Sequence, residues 1–465
     1  MKLLELAIRS RMTSILRNYW FGKKANKKNN ERVYSEVDYD KSFVSSKKVL
    51  RWVAIRMTHN ISEKTTQWWD LIYWFEFVNL MAGAPSELVS MMSTAYQAQT
   101  FRDSIKVFRM MPCFGCVVLS MVKSIKMVVH RPVFENLVTE LRAMWPRGEV
   151  SEEEHLIISG ALKQLNFIVK GYYWCNNALL VSFLSPPYFI TLARYLGYDM
   201  PMVLHFLYWL PYDPYRPVSY EFTLVLQTWH ALVVIWFNVA WDMLFCTFLC
   251  HITMQFDLLA RRVTRLFYVS IDQQLDRSYP LAVVSEDFLR SEGAGLHSYS
   301  DQYWDTRHQK ELTDIVLRHH ALIRLTEDVE KMFSLALLIN FMNSSIIICF
   351  CGFCCILIEK WNEVAYKSFL VTALSQTWLL CWYGQKLIDS SNNLSEALYN
   401  CAWYNGSKRL KSAVLIMLHR AQKGVHVTTY GFSAISLASY STIIKTAWSY
   451  FTLLLNFFKE KSDSL

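Results

Sequence analysis

Seven apolar segments, each long enough to cross a lipid bilayer, divide this chain of 465 residues. A spanning helix needs about 20 mostly apolar residues at a rise of 1.5 Å per residue. The composition, 53% hydrophobic and 15% aromatic, is too apolar for a soluble domain of this length but leaves room for water-facing segments. The sequence therefore predicts an all-α, seven-transmembrane helical bundle with spans at 69–95, 104–127, 165–193, 219–250, 335–358, 366–388 and 428–457.

Basic residues are unevenly distributed among the connections between these spans. They concentrate before the first span and after the second, fourth and sixth spans, whereas the other connections hold few. Because cytosolic connections of membrane proteins are rich in Lys and Arg, this distribution predicts a cytosolic N-terminus. Seven spans then place the C-terminus outside, the inverse of a G-protein-coupled receptor. The net charge of +9 follows from the same bias and requires no nucleic-acid partner.

The segment before the fifth span has a helical but charged pattern. Arg324 and Asp328 are four residues apart, as are Glu327 and Lys331, so each pair is predicted to form an ion pair. We expect a cytosolic extension of the fifth span that packs against other extensions near 251–267, 390–404 and 408–423. Such a bundle suits an oligomerisation platform or an internal domain of one subunit, and the sequence does not separate the two.

The last apolar segment carries a polar stripe at helical spacing. Ser439, Thr442, Thr446 and Ser449 share one face, and Leu453 closes that face one turn before Asn456 and Phe457. A wettable face closed by an apolar residue is what a pore-lining helix needs. Ser and Thr also hold membrane helices together, so ordinary packing remains the alternative.

This topology gives the chain seven regions. They are 1–68, a cytosolic N-terminal segment; 69–250, transmembrane helices 1–4; 251–334, a cytosolic loop and anchor helices; 335–388, helices 5–6; 389–427, a cytosolic anchor segment; 428–457, a pore-lining helix 7; and 458–465, an extracellular tail.

The sequence offers little support for catalysis. It has no phosphate-binding glycine loop, no nucleophile elbow and no zinc spacing, so we expect no enzyme activity and no cofactor or metal. The intramembrane acids Glu76, Glu87 and Asp242 are candidates for function, although for Asp242 the pattern favours a structural pairing over a functional role.

A ligand pocket is more plausible than an active site. Outer-half positions of several spans combine aromatic side chains with few polar groups, as a small volatile organic molecule requires. Simple packing is the alternative for each residue. The predicted ligand-binding residues are Phe108, Met111, Tyr173, Asn176, Thr223, Gln227, Phe369, Thr372 and Gln376.

Several motifs resemble the insect odorant receptor family, most strongly in roughly the C-terminal third. Residues 209–214 (Trp-Leu-Pro-Tyr-Asp-Pro) resemble the family's connection between spans three and four. The sixth- and seventh-helix motifs are 380–385 (Leu-Cys-Trp-Tyr-Gly-Gln), 395–403 (Ser-Glu-Ala-Leu-Tyr-Asn-Cys-Ala-Trp), 420–423 (Arg-Ala-Gln-Lys), 430–433 (Tyr-Gly-Phe-Ser) and 449–454 (Ser-Tyr-Phe-Thr-Leu-Leu).

This resemblance implies a subunit of an odorant-gated, non-selective cation channel in the plasma membrane of olfactory sensory neurons. It implies a tetramer with a shared olfactory co-receptor, which this chain itself does not resemble, and contact with membrane lipid. Leu453 and Phe457 fall at the family's hydrophobic gate, and Asn456 stands where a Gln is common. The alternatives are a gustatory-type channel of the same superfamily, a metabotropic seven-helix receptor, and a transporter or membrane enzyme.

Overall fold

The computed structural model describes residues 33–43, 49–50, 63–97, 101–206, 208–266, 286–357 and 362–463. Helices dominate these residues, and two short strands pair antiparallel, Val33 with Glu149 and Tyr34 with Gly148. The strands are β1 (Val33–Tyr34) and β2 (Gly148–Glu149). The helices are α1 (Glu36–Ser42), α2 (Glu63–Gln97), α3 (Phe101–Val129), α4 (Arg131–Met144), α5 (Glu152–Tyr195), α6 (Pro217–Arg265), α7 (Glu286–Leu357), α8 (Asn362–Asn400), α9 (Lys408–Ala421) and α10 (Leu437–Asp463).

Several helices are much longer than a bilayer is thick. Helix α6 has 49 residues and therefore extends about 74 Å, against about 30 Å for the hydrocarbon core. Helix α7 is a single helix of 72 residues. On length and composition, three stretches within the described residues could cross a membrane: Met110–Val129, Pro217–Arg265 and Thr306–Cys355.

Helix α6 forms the centre of the bundle. Every residue from Phe237 to Phe256 is buried, because α3, α5, α7 and α8 surround this helix. Against α7, the rings of Trp241 and Phe245 lie 4.7 Å and 5.2 Å from the ring of Phe333, between centroids. Tight aromatic packing of this kind holds the shared core of the long helices together.

Charged side chains join the helices at one end of the bundle. Glu153, in the first turn of α5, accepts hydrogen bonds from Arg261 and Arg265 at the end of α6. The first turn is itself capped, since the Ser151 hydroxyl accepts from Glu154 N at 3.3 Å and Glu154 Oε2 accepts from Ser151 N at 3.0 Å. The basic connections that follow the second and fourth predicted spans thus meet at the same end.

The two ion pairs predicted within α7 are wrong. Arg324 donates instead to Glu140 of α4, with 2.8 Å between Nη2 and Oε2. Lys331 donates to Asp328, three residues earlier, at 2.9 Å. Helix α4 packs across this face of α7, so a carboxylate from another helix is available to Arg324.

The last helix begins at Leu437, whereas the predicted span begins at 428. A tight turn precedes it, in which Thr429 N donates to Ser433 O at 2.8 Å. Tyr430 and Gly431 have φ values of 53° and 81°, in the left-handed region that a right-handed helix cannot include. The turn is fixed to α7, because Glu330 Oε1 accepts from Thr428 N at 3.2 Å.

Candidate functional site

An apolar cavity of about 30 Å³ lies between α3, α5, α6 and α8. The connection between α5 and α6 covers it through Phe206, and Phe369 of α8 closes another side. His230 is the one ring in the wall with polar atoms. The lining residues are Cys113, Cys116, Val117, Leu179, Leu180, Phe183, Phe206, His230, Ala231, Val234, Ile235 and Phe369.

The volume of this cavity is too small for an organic ligand in the present conformation. A volume of about 30 Å³ has room for one or two water molecules, whereas pockets for small organic ligands enclose about 300–1,000 Å³. The lining side chains must therefore move apart before an organic molecule enters. The four helices around the cavity are the elements that such a movement displaces.

One of the predicted ligand residues lines the cavity. The ring of Phe369 lies 5.6 Å from that of Phe183 in a T-shaped contact, between centroids. The side chain of Phe108 lies outside the described part of the chain, and Met111 is half-buried on α3. Tyr173 packs against Trp236 with 5.4 Å between ring centroids, which places its ring at the interface of α5 and α6.

The polar members of the predicted set hold backbone or other side chains. Gln227 makes two hydrogen bonds to Phe206, accepting from its N at 3.1 Å and donating to its O at 2.8 Å. Asn176 donates to Tyr172 O at 2.9 Å. Thr223 Oγ1 lies 3.0 Å from Tyr212 Oη, and Thr372 Oγ1 lies 3.5 Å from Cys175 Sγ.

A buried ion pair lies next to the cavity, as the sequence analysis anticipated for Asp242. Lys123 Nζ of α3 is 2.7 Å from Asp242 Oδ1 of α6, and both side chains are 1% exposed. Tyr172 of α5 and Gln376 of α8 donate to Oδ2 at 2.9 Å and 2.6 Å. This network joins the four helices that surround the cavity. Burial of charge is tolerable here because the carboxylate is both paired and hydrogen-bonded.

The wall of the cavity and this network are contiguous. Asn238, one turn before Asp242, donates to Cys116 O at 3.1 Å and to Ser120 Oγ at 2.6 Å. Ser120 in turn donates to Val234 O at 2.8 Å. Since Cys116 and Val234 line the cavity, a displacement of its wall moves the polar network as well.

The polar stripe of α10 faces away from the chain's own bundle. Ile443 and Ala447 are buried, whereas Thr442, Thr446 and Ser449 are exposed. Each of these hydroxyls donates to the carbonyl four residues earlier, at 2.9–3.1 Å. Ser439 differs, since it is half-buried and bonds within the preceding turn, and Asn456 is exposed.

Leu453 continues the exposed face. Its side chain is 67% exposed. On the opposite side, Phe451 lies where a Cβ on Gly352 of α7 would meet its ring at 3.4 Å, so this side of α10 is seated against α7. The side chain of Phe457 lies outside the described residues.

A second cavity, of about 440 Å³, lies at the charged end of the bundle. Arg147, Arg262, Arg318 and Glu154 line it, so its surface does not suit an apolar ligand. Within the described part of the chain, no cluster of three His, Cys, Asp or Glu side chains could hold a metal ion.

Comparison with known proteins assigns the family. The family described as 7tm Odorant receptor matches residues 104–448. Odorant receptor 85c of Drosophila melanogaster is 25% identical over 401 residues, covering 84% of this chain and 92% of that protein. Odorant receptor 67c of the same fly is 25% identical over 385 residues, covering 81% and 86%. This chain belongs to the odorant receptor family, a family of membrane receptors and not of enzymes, as its motifs indicated.

The fold is similar to that of a solved receptor. The insect olfactory receptor OR5 from Machilis hrabei superposes with a TM-score of 0.71 at 14% identity, over 90% of this chain and 99% of that chain. The same receptor in complex with eugenol gives a TM-score of 0.70 at 13% identity, over the same shares. The predicted all-α, seven-transmembrane bundle is confirmed by this likeness.

Two features of the site escaped the sequence analysis. Phe206 reaches the cavity from an irregular connection, where no helical period places a side chain. Lys123 lies in an apolar helix close to the basic residues that follow it, so the sequence did not identify it as the partner of Asp242. The usable signal was its membrane depth, since a lone intramembrane Lys implies an acidic partner.

Proposed function

We propose that this chain is the odorant-binding subunit of a ligand-gated, non-selective cation channel in olfactory sensory neurons. The observation that carries the proposal is the exposed polar face of α10. One side of the helix is buried at Ile443 and Ala447, and the other presents Thr442, Thr446 and Ser449. A helix in lipid gains nothing from presenting hydroxyls to acyl chains, so this face suits a water-filled axis between subunits.

The pore face consists of Ser439, Thr442, Thr446, Ser449, Leu453, Asn456 and Phe457. With a cytosolic N-terminus, α10 runs outward, and Leu453 and Phe457 lie toward the extracellular mouth. The gathering of basic residues at one end of the bundle supports this orientation. Residues 251–334 and 389–427 then form the cytosolic anchor, and 458–465 an extracellular tail.

The ligand is a small volatile molecule bound in the outer half of helices α3, α5, α6 and α8. The apolar lining of the cavity supports this, with Phe369 in its wall. Phe108, Met111, Tyr173, Asn176, Thr223, Gln227, Thr372 and Gln376 lie on the same helices and form the surroundings that an expanded pocket reaches. The Machilis receptor, solved in complex with eugenol, supports a small-molecule ligand.

Helix α8 connects the cavity to the pore helix. Phe369 lines the cavity, and sixteen residues later Gln385 Oε1 accepts from Leu437 N, at the start of α10, at 3.3 Å. A ligand that binds the open state more tightly shifts the population toward it. Movement of α8 would rotate or displace α10, carry Leu453 off the axis and allow water into the pore.

The partners are an odorant, membrane lipid and an olfactory co-receptor, with which the chain forms a heterotetramer in the plasma membrane. Whole-cell recording tests the proposal in cells that express this chain with the co-receptor, this chain alone, or the co-receptor alone. We expect odorant-evoked cation currents only when both are present. Confirmed surface expression of both, with no evoked current from a broad odorant panel, would contradict the channel.

Orientation has its own test. A tag at Met1 should stain only after permeabilisation, and a tag after Leu465 should stain on intact cells. The reverse pattern would favour a metabotropic receptor.

A further inference from the structure

Three buried polar atoms next to the apolar cavity have no hydrogen-bond partner among the described residues. They are Glu87 Oε2 of α2, Tyr208 Oη of the connection between α5 and α6, and His230 Nε2 of α6. Glu87 is 1% exposed and His230 is 3% exposed. Buried polar groups in folded proteins are nearly always bonded, so three unbonded atoms in one place call for a partner that is not part of the chain.

These atoms lie close together. The His230 ring is seated directly over Gly83, where an added Cβ would lie 2.0 Å from Cε1. Glu87 is one helical turn beyond Gly83 on the same face of α2. The ring of Tyr208 is 5.7 Å from that of His230, between centroids, in a T-shaped contact. Glu87 lies within electrostatic range of Tyr208 and of Cys113 in the cavity wall.

The residues that carry these atoms adjoin the apolar space, and in the closed cavity their polar atoms are turned away from it. His230 lines the cavity, and Tyr208 stacks on Phe206, another lining residue, with 5.4 Å between ring centroids. The remainder of the wall is aliphatic, aromatic or thiol-bearing. A molecule that fills an expanded cavity would therefore place most of its surface against apolar groups and one end against this polar cluster.

The hydrogen-bonding groups of His230 and Tyr208 limit which functional group a ligand can place against this cluster. His230 is hydrogen-bonded to the backbone of Asn79, and because Nε2 is unbonded this bond is made by Nδ1. A helix carbonyl accepts, so Nδ1 carries the proton and Nε2 of the neutral ring offers a lone pair. Tyr208 offers an O–H donor. A hydroxyl group, with one donor and two lone pairs, satisfies both at once, whereas an ether has no donor and an ammonium has no acceptor.

We propose that the odorants of this receptor are alcohols or phenols. The apolar body occupies the cavity between α3, α5, α6 and α8, while the hydroxyl donates to His230 Nε2 and accepts from Tyr208 Oη. The Glu87 carboxyl group lies beside them as a third polar contact. This assignment rests on the proposed odorant-binding role and specifies the ligand class for it.

Recording from cells that express the receptor with its co-receptor tests the assignment. The panel contains aliphatic and aromatic alcohols, each accompanied by the methyl ether, parent hydrocarbon and primary amine of the same carbon skeleton. We expect the most active alcohols to reach half-maximal current at about tenfold lower concentration than their ethers and hydrocarbons. Equal potency of ether and alcohol would overturn the proposal. Higher potency of the amine would overturn it in favour of an ion pair with Glu87.

Removal of a single oxygen atom tests whether the polar cluster causes the higher potency of alcohols. Tyr208→Phe should remove the advantage of alcohols while leaving the response to hydrocarbons unchanged. Tyr212→Phe is the matched control, since Tyr212 lies in the same connection but already bonds Thr223 at 3.0 Å. A loss of all responses alike in Tyr208→Phe would mean that Tyr208 is structural, and would overturn its role in ligand selection.

A binding measurement tests the ligand class independently of channel activity. If no compound evokes a current, the channel proposal fails, and thermal stabilisation of the purified receptor by the same panel decides the ligand class. Stabilisation by alcohols but not by their ethers, lost in Tyr208→Phe, would support the assignment. Equal stabilisation by both, or by neither, would overturn it.

Discussion

The Nζ atom of Lys123 lies 2.7 Å from Oδ1 of Asp242, and this ion pair is shut off from solvent between four helices. Asp242 also accepts hydrogen bonds from Tyr172 and Gln376. Each of α3, α5, α6 and α8 thus contributes one side chain to this polar network. The same four helices enclose the apolar cavity, and the pair therefore fixes their spacing just beside it.

Breaking this pair should destabilise the receptor strongly. Asp242→Asn leaves Lys123 charged and unpaired, at a cost of about 3–5 kcal/mol. We expect lower surface expression and a lower melting temperature for the purified protein. The double variant Lys123→Met with Asp242→Leu should recover part of the loss, because no charge is left buried.

An exposed pair provides the control for that experiment. Asp328→Asn removes the partner of Lys331, whose side chain is 62% exposed, and should leave expression close to that of the wild type. If Asp242→Asn behaves like Asp328→Asn, the buried pair has no structural importance.

Glycine at position 384 allows α8 to approach the turn before α10. A Cβ there would lie 2.4 Å from the carbonyl oxygen of Ile435, which is backbone and cannot swing aside. Gly384→Ala should therefore push the two elements apart, cost about 1–3 kcal/mol and shift the odorant concentration for half-maximal current. Gly160→Ala, where nothing lies within 4 Å, should neither lower the stability nor shift the odorant concentration for half-maximal current. Equal behaviour of the two variants would remove α8 from the gating route.

Leu453→Ser should raise the basal current in the absence of odorant. The substitution replaces an apolar closure by a hydroxyl, which makes the narrow part of the pore wettable. Trp448→Ser is the control, because Trp448 is also exposed but lies about 140° round the helix from Leu453. A basal current that is unchanged in Leu453→Ser, or raised equally in Trp448→Ser, would argue against a gate at Leu453.

Phe369→Ala should widen the range of odorants. Removal of the ring enlarges the cavity, so bulkier molecules should become more potent relative to small ones. Val371→Ala changes an exposed residue two positions along α8 and should not alter this order. Dose–response curves for a size-graded odorant series decide the matter, and an unchanged order of potency in Phe369→Ala would place the ligand elsewhere.

His205 gives the receptor a pH-dependent stability. Burial in the connection between α5 and α6 lowers the pKa of His205 to about 4, below its ordinary value of 6.5. Between these values the unfolded chain binds a proton that the folded chain does not, so stability falls as the pH drops from 6.5 toward 4, by at most about 3 kcal/mol. His205→Gln should lessen the fall in melting temperature between pH 7.5 and pH 5. A fall as large as that of the wild type would exclude His205.

The regular parts of the fold were accessible from periodicity, and the irregular parts were not. The stripe Thr442, Thr446, Ser449 follows a helical period, so its shared face could be read directly. The beginning of α10 could not, because the left-handed pair Tyr430 and Gly431 stops the helix inside an otherwise suitable stretch.

The hydrogen-bond partners of buried side chains were the hardest feature to predict from the sequence. Gln227 and Gln376 have the character of ligand-binding residues in an apolar pocket, yet the structure directs them to the backbone of Phe206 and to Asp242. Which partner a buried amide finds depends on how neighbouring helices are rotated. That rotation is set by packing between segments far apart in sequence.

The hydroxyls of Thr442, Thr446 and Ser449 bond to carbonyls of their own helix. The hydrogen-bond donors of these three side chains are therefore satisfied within α10 itself. Substitution on that face would leave the buried contacts of Ile443 and Ala447 in place, so the surface that α10 presents outward can change while the scaffold of the subunit stays the same.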